Sequence, residues 1–232
     1  MNLSAQYYSK YAAAYVRGMA SQSQIELPPP LIQKPLDALS ENELDEIVTV
    51  GKTAGLRLYR FKNTHDDLPR VKRVLGFLKS IEMENLLDVG SGRGVFLWPC
   101  MNAFQWLEVT SVDLLSHRVE MLNTVRQGGA INLNAVIGDI CDFKVPNKSY
   151  DVVTLLEVLE HIPNVFAAVQ SAVRIARKYI VVSVPSTPDN NPEHIRLLTK
   201  DILTDIFHTA GCKRLNFDGV TGHLIMIVNL KK

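Results

Sequence analysis

The chain has 232 residues, 47% hydrophobic and 21% charged, with 25 basic against 24 acidic side chains for a net charge of +1. That length supports one substantial core plus an extension, and the near-neutral balance gives no global argument for a polyanionic partner such as nucleic acid. No uncharged apolar run reaches the about 18 residues that a membrane span needs, and the Tyr- and Ala-rich start does not read as a signal peptide. Cys100, Cys141 and Cys212 are odd in number and lack CxxC spacing. They neither staple a secreted fold nor form a legible zinc site, so a reducing cytoplasm is the expected location.

In chain order, residues 1–80 read as a helical extension that covers a substrate, and residues 81–232 as the domain proper. Tyr7, Tyr11 and Tyr15 fall at helical spacing as a packing stripe. Pro28-Pro29-Pro30 predicts a turn or extended link, and Ser40 with Glu43 a capping box opening a helix toward Val50. Asp67 and Pro69 suit the start of another helix, with Val71, Val74, Leu75 and Leu78 on its apolar face. Charge is uneven here. Residues 26–51 carry Glu26, Asp37, Glu41, Glu43, Asp45 and Glu46 against Lys34 alone. Residues 52–79 carry Lys52, Arg57, Arg60, Lys62, Arg70, Lys72, Arg73 and Lys79 against Asp66 and Asp67. Either these are two solvated faces that pair with each other, or the second is a basic lip over an active site, favouring a phosphate-bearing or nucleic-acid substrate.

From Asn85 the period switches to alternating strands and helices, the pattern of a mostly parallel sheet covered on both faces. Strands are expected near 85–90, 107–113, 134–137, 151–156 and 179–184, with helices over 92–104, 116–126, 164–177 and from Thr199 to Ala210. Asp151–Leu156 reads D-V-V-T-L-L, the near-continuous apolar run of a buried strand. Two last strands, near 213–218 and 223–230, are joined by Gly219 and Gly222 and close the sheet as a hairpin.

The run Leu86-Leu87-Asp88-Val89-Gly90-Ser91-Gly92-Arg93-Gly94-Val95-Phe96-Leu97 is the most informative. An apolar strand enters a glycine-rich turn and an apolar, helix-compatible segment leaves it, which lets a cofactor approach backbone. Asp88 precedes the first glycine by two residues. A carboxylate there repels a dinucleotide pyrophosphate but suits a ligand carrying an ammonium and a sulfonium, as S-adenosylmethionine does. The glycines alternate, and Val95 takes the place of the third dinucleotide-type glycine. D-V-G-S-G-R-G resembles motif I of the class I methyltransferases, and the resemblance covers about residues 85–230. It implies an α/β fold, a doubly wound, mostly parallel, seven-stranded Rossmann-like sheet, with S-adenosylmethionine as cofactor. The closing hairpin is how that family finishes its sheet, and plain dinucleotide folds lack it.

Ligands of open α/β sheets sit at the carboxyl ends of the strands. Beside Asp88, Gly90, Ser91 and Gly92, the expected cofactor residues are Asp113 with Leu114, where a carboxylate can accept both ribose hydroxyls. Asp139 would accept from an adenine amino group while Ile140 packs on the ring, although Asp139 equally reads as a turn or cap aspartate. Leu156 and Glu157 follow strand four, where backbone faces the methionine part. Many relatives place a proline and paired glycines before strand five. This chain has Ile175-Ala176-Arg177-Lys178, so its turn must be built differently.

Chemistry-bearing residues gather in Glu157-Val158-Leu159-Glu160-His161. If that segment is helical, Glu157 shares a face with Glu160 and His161, and His194, from the loop after strand five, overhangs the same strand ends. These four are the candidate catalytic residues, with His161 in an acid–base or substrate-contacting role, and the candidate ligands of Mg²⁺ or a similar divalent ion. E-x-x-E-H is similar to the metal-binding motif of small-RNA 2′-O-methyltransferases and to the corresponding segment of ubiquinone-pathway O-methyltransferases. Either resemblance implies an ion that holds the acceptor hydroxyl and lowers its pKa. The same E-V-L-E-H-I-P also occurs in metal-free methyltransferases, where the histidine contacts substrate or caps the loop. His65, His117, His208 and His223 lack a partner pattern and read as surface or satisfied-core residues.

The resulting expectation is methyl transfer from S-adenosylmethionine, with an oxygen acceptor favoured because no N-P-P-Y-type motif of amino-group methyltransferases occurs. The acceptor is a small molecule, with an RNA terminus or a non-catalytic cofactor-binding module as alternatives. A nicotinamide oxidoreductase would share the turn and Asp113, but Asp88, Val95 and the hairpin oppose it.

Overall fold

The structure, a computed structural model, describes residues 7–188 and 190–231. Residues 1–6, the start of the predicted extension, and the Asp66 side chain, counted in the basic segment, lie outside the described residues. Helices α1 (Ser9–Ser21), α2 (Pro29–Gln33), α3 (Glu41–Thr53) and α4 (Pro69–Leu78) come first. Then follow β1 (Asn85–Val89), α5 (Leu97–Ala103), β2 (Glu108–Asp113), α6 (Ser116–Gln127), β3 (Leu133–Ile137) and β4 (Tyr150–Leu156). The chain ends with α7 (Val165–Ile175), β5 (Ala176–Pro185), α8 (Lys200–Thr209), β6 (Leu215–Val220) and β7 (His223–Asn229). The strands form one seven-stranded sheet in the order β3-β2-β1-β4-β5-β7-β6. β1 to β5 run parallel, and β7 runs antiparallel between β5 and β6, as the alternation and the closing hairpin lead one to expect. The winding reverses between β1 and β4, where an open sheet of this kind leaves a crevice at its carboxyl edge. Among the described residues no helix is long and apolar enough to cross a membrane.

Successive strand residues face opposite sides of the sheet. Leu86, Val109 and Val152 pack with α1, α3, α4, α5 and α6, whereas Leu87, Val112 and Val153 pack with α7 and α8. Local signals act as expected at several ends. Ser40 and Glu43 form the reciprocal capping box of α3, and Thr199 Oγ1 accepts from the Ile202 amide to cap α8.

Several boundaries differ from expectation for physical reasons. The helix after the glycine turn begins at Leu97, because positive φ at Gly92 and Gly94 keeps residues 92–96 in turns. Pro29 and Pro30 occupy the first positions of α2, where a missing N–H costs nothing, so the proline run opens a helix. Tyr7 precedes α1 and bridges to Lys62. Asp67 pairs with Lys72 and does not cap α4. Gly219 lies inside β6, and the hairpin turns at Thr221-Gly222.

The helical extension is welded to the sheet. α1 crosses α6 so closely that a Cβ on Gly18 would lie 2.0 Å from the Thr124 carbonyl oxygen, and one on Gly128 1.7 Å from that of Ala14. Tyr11 stacks on Trp98 at 5.6 Å between ring centroids, and Phe61 packs against the same indole at 5.0 Å. Trp98 is fully buried, and its Nε1–H donates to the Arg93 carbonyl at 3.2 Å. The extension therefore braces the glycine turn from behind.

At the opposite end of the sheet α7 passes straight into β5, with Asp151 in place of the proline and glycines. Its buried carboxylate accepts from Arg177 Nε at 2.7 Å, Lys178 Nζ at 3.1 Å and the Glu84 amide at 2.9 Å. Burial pushes this carboxyl's pKa up, but the Glu84 amide, Lys178 and Arg177 outweigh it and hold the group below its usual range.

A carboxyl with a depressed folded pKa stabilises fully above its unfolded value of about 3.9, and the contribution is lost as pH falls from there through the folded value. Asp151→Ala is expected to cost about 1–3 kcal/mol in urea unfolding, chiefly by orphaning the Glu84 amide, since Arg177 and Lys178 can turn to water. The variant should also lose part of the acid sensitivity of the parent below about pH 4. Gly94→Ala places a Cβ 2.0 Å from Trp98 Nε1 at φ +83°. A clear fall in melting temperature is expected, since backbone strain alone is worth about 1–3 kcal/mol. An unchanged melting temperature would show that the indole does not support the turn.

Candidate active site

A pocket of about 1100 Å³ opens at the carboxyl ends of β1, β2 and β4 and is closed on the far side by residues of the segment 59–74. It is larger than the about 300–1,000 Å³ of a typical small-molecule site. Beneath it, reaching the pocket through Asp88, runs a polar row across the sheet. Asp88 on β1 pairs in register with Ser111 on β2 and Thr154 on β4, so the three side chains share one face. All three are buried.

Asp88 accepts from Ser91 Oγ at 2.5 Å and from Thr154 Oγ1 at 2.6 Å. Ser91 spends its one proton on the carboxylate, so Ser111 is the donor in the 2.7 Å contact between the two serines. Burial raises the Asp88 carboxyl to about 6, with the two hydroxyl donors lowering it and the Asp113 charge raising it. Asp88 is thus set beneath the turn and organises it. Asp88 lines the pocket yet is almost wholly buried, so its charge acts on the pocket through a low-dielectric interior. Gly90 and Gly92 line the pocket with positive φ, and the Gly90 amide donates to the Val112 carbonyl at 2.8 Å.

Asp113 lies at the end of β2 with one oxygen accepting from the Leu115 amide at 3.0 Å and the other 3.3 Å from Arg118 Nη1. Each carboxylate oxygen retains a lone pair for a further donor. Leu114 is exposed at the rim. Asp139 accepts from the Cys141 amide at 2.8 Å, which is the turn-aspartate geometry, while it still lines the pocket next to buried Ile140. Leu156 closes β4 at the pocket floor.

The segment after β4 is not an α-helix. Glu157 adopts φ +58°, and only Leu159–His161 form a 3₁₀ turn. This corrects the shared-face premise. The Glu157 carboxylate turns to β5 and β7, accepting from Ser183 Oγ at 2.6 Å and meeting His223 Nε2 at 3.2 Å. Glu160, His161 and His194 do come together, with one ligand atom from each lying within 4.8 Å of the others. The two imidazole rings meet edge to face at 4.8 Å. His161 Nδ1 lies 2.9 Å from the Glu193 carbonyl, which can only accept. In the neutral ring that carbonyl places the proton on Nδ1 and leaves Nε2 as an acceptor.

Sequence reasoning missed Ser111, Thr154, Ser183 and His223 in these roles. The first two left a faint signal: each is the polar residue two places before its strand end, as Asp88 is before Gly90. It also left the basic segment open, and the structure sets Arg60, His65 and Arg70 in the pocket wall. The acidic and basic segments do not simply neutralise each other. Lys34 pairs with Glu43, Lys10 with Asp37, and Arg73 with Asp218.

The seven-stranded sheet with helices on both faces agrees with what comparison with known proteins finds. A ubiquinone biosynthesis O-methyltransferase of Rickettsia canadensis is 33% identical over 95 residues, covering 41% of this chain and 39% of that protein. One of Nitrosomonas europaea is 28% identical over 120 residues, half of each. The match to these curated relatives thus spans half their length or less. Among solved structures, a SAM-dependent methyltransferase from Aquifex aeolicus superposes with a TM-score of 0.60 over 73% of this chain and 94% of its own, at 17% identity. The [4+2]-cyclase SpnF shares the fold at a TM-score of 0.57 and 14% identity, covering 68% of this chain and 80% of its own. A family model described as a methyltransferase domain matches residues 57–215, well over half of the sequence, and the chain therefore belongs to the methyltransferase domain family.

Proposed function

We propose that the chain transfers a methyl group from S-adenosylmethionine to a hydroxyl on a small molecule, acting in the cytoplasm. The observation that carries the reading is the position of His161, an imidazole with its Nδ1 tied to the Glu193 carbonyl, on the wall of the pocket that holds the glycine turn. Asp113, Asp139 and Ile140 would hold the adenosine, and Gly90, Ser91, Gly92 and Leu156 the methionine part. Transfer is an in-line displacement: the acceptor oxygen forms a bond to the methyl carbon as the carbon–sulfur bond breaks, giving adenosylhomocysteine. The hydroxyl proton passes to His161 Nε2, and positioning supplies most of the acceleration. The match to O-methyltransferases and the three free cysteines support the acceptor class and the location.

A divalent ion is a second reading, favoured by one carboxylate and two imidazoles within 4.8 Å. This donor set fits a borderline ion such as Mn²⁺ or Zn²⁺ better than Mg²⁺, which prefers all-oxygen shells. Glu160, His161 and His194 would hold it, without Glu157, and the Glu193 carbonyl would orient His161. When bound, the ion would lower the pKa of an acceptor hydroxyl.

Incubation with labelled S-adenosylmethionine and fractionated cell extract should place label in the small-molecule fraction. Label confined to RNA would move the reading to 2′-O-methylation, and none in any fraction would favour a non-catalytic module. With an acceptor in hand, His161→Ala should lower kcat by about 10²–10⁴-fold with cofactor affinity retained. If EDTA and Glu160→Gln both leave turnover unchanged, the ion has no part. Asp88 is ionised above about 6 and neutral below, and a cationic cofactor favours the ionised form. Affinity for S-adenosylmethionine should therefore fall as pH drops through that value, while Asp88→Asn binds more weakly with no such step. A flat wild-type profile would rule out this role for the carboxylate.

A further inference from the structure

The two walls of the pocket carry opposite charge. The strand-end wall holds Asp88, Asp113, Asp139 and Glu157. The facing wall contributes Arg60 and Arg70, both half-buried, with Tyr59 just before the first and Val71 and Val74 just after the second in sequence. Other cations of this basic segment already have partners: Lys72 pairs with Asp67 at 3.2 Å, Arg73 with Asp218 at 2.9 Å, and Lys52 lies 4.5 Å over the Tyr7 ring. Among the described residues Arg60 and Arg70 have no carboxylate within ion-pair distance. Arg60 rests on the Tyr59 ring at 5.8 Å, and its Nε is enclosed with no hydrogen-bond partner.

Guanidinium groups withdrawn from water without a counter-ion are costly, and their planar forks match carboxylate and phosphate oxygens two at a time. α4 starts beside them at Pro69 with no side-chain cap, so its N-terminal dipole adds to the same positive wall. The proposed cofactor does not need this wall. Its ammonium and carboxylate cancel and its sulfonium leaves it cationic, which suits the acids opposite. The pocket, at about 1100 Å³, also has room for a second molecule between the cofactor and the arginines. Lys72 and Arg73, neighbours of Arg70 along the chain, are already paired and so less available to a polynucleotide backbone.

Resting on the methyltransferase reading above, we infer that Arg60 and Arg70 bind a carboxylate or phosphate on a small methyl acceptor, whose apolar body lies along Tyr59, Val71 and Val74. The test is calorimetric titration of the whole chain, first with adenosylhomocysteine and then, at saturation, with matched pairs: protocatechuate against catechol, and phenyl phosphate against phenol. In at least one pair the charged member should bind about tenfold or more tightly, and the pair that discriminates identifies the oxyanion. Arg60→Gln with Arg70→Gln should abolish that preference while adenosylhomocysteine affinity stays within about twofold. Arg60→Lys, which keeps charge but loses the fork, should retain part of it and guards against a folding defect. The inference falls if neither pair discriminates, if the anion competes with adenosylhomocysteine, or if the arginine variants lose cofactor affinity. It falls too if a single-stranded oligoribonucleotide binds the saturated protein more tightly than any of these. Absence of adenosylhomocysteine binding would remove the methyltransferase reading itself and this inference with it.

Discussion

A carboxylate buried under a glycine turn holds this structure's working parts together. Asp88 is almost wholly removed from water, which is costly for a charge unless donors surround it. Two hydroxyls meet that need, one from the turn it supports and one from the neighbouring strand, with Ser111 supporting the first. The consequence is mechanical as well as electrostatic. Ser91 cannot leave Asp88 without exposing a buried charge, so the turn is tied to the register of β1, β2 and β4.

The helical extension adds a second constraint on the same turn. Tyr11 and Phe61 press on Trp98, and Trp98 holds the Arg93 carbonyl. Glycine turn and extension therefore share one core, although the sequence reads them as separate regions. Asp151 does comparable work at the amino edge of the sheet, tying the starts of β1, β4 and β5 through Glu84, Arg177 and Lys178. Between these clamps the sheet is apolar on both faces, and polar chemistry is confined to its carboxyl edge.

That edge explains how one architecture serves different reactions. A cyclase that shares this fold shows that the sheet by itself does not dictate one reaction. What gives this pocket its character is the asymmetry of its walls: acids on the strand ends, arginines on the cover, and an imidazole between them with one nitrogen engaged by backbone. Glu157, the first residue of the E-x-x-E-H segment, belongs to the strand-end wall through Ser183 and His223.

Much of this was legible in the residues alone. Strand and helix order, the glycine turn, the capping box of Ser40 and Glu43 and the strand-end acids depend on short-range periodicity and local hydrogen bonds, which a linear pattern records. The meeting of His161 with His194 followed from where the loops must emerge. The pairing of Asp88 with Thr154 did not follow, because it is set by register between strands more than 60 residues apart. Nor did the direction of Glu157, which turns on the sign of one backbone angle at a residue that is not glycine. The arginines of the basic segment showed their charge in the sequence, but which of them pair and which face the pocket depended on how α4 docks against the sheet. Periodicity therefore determined which elements exist and in what order. Long-range packing alone decided which side chains meet, since that depends on register and docking angle, which a one-dimensional pattern does not carry.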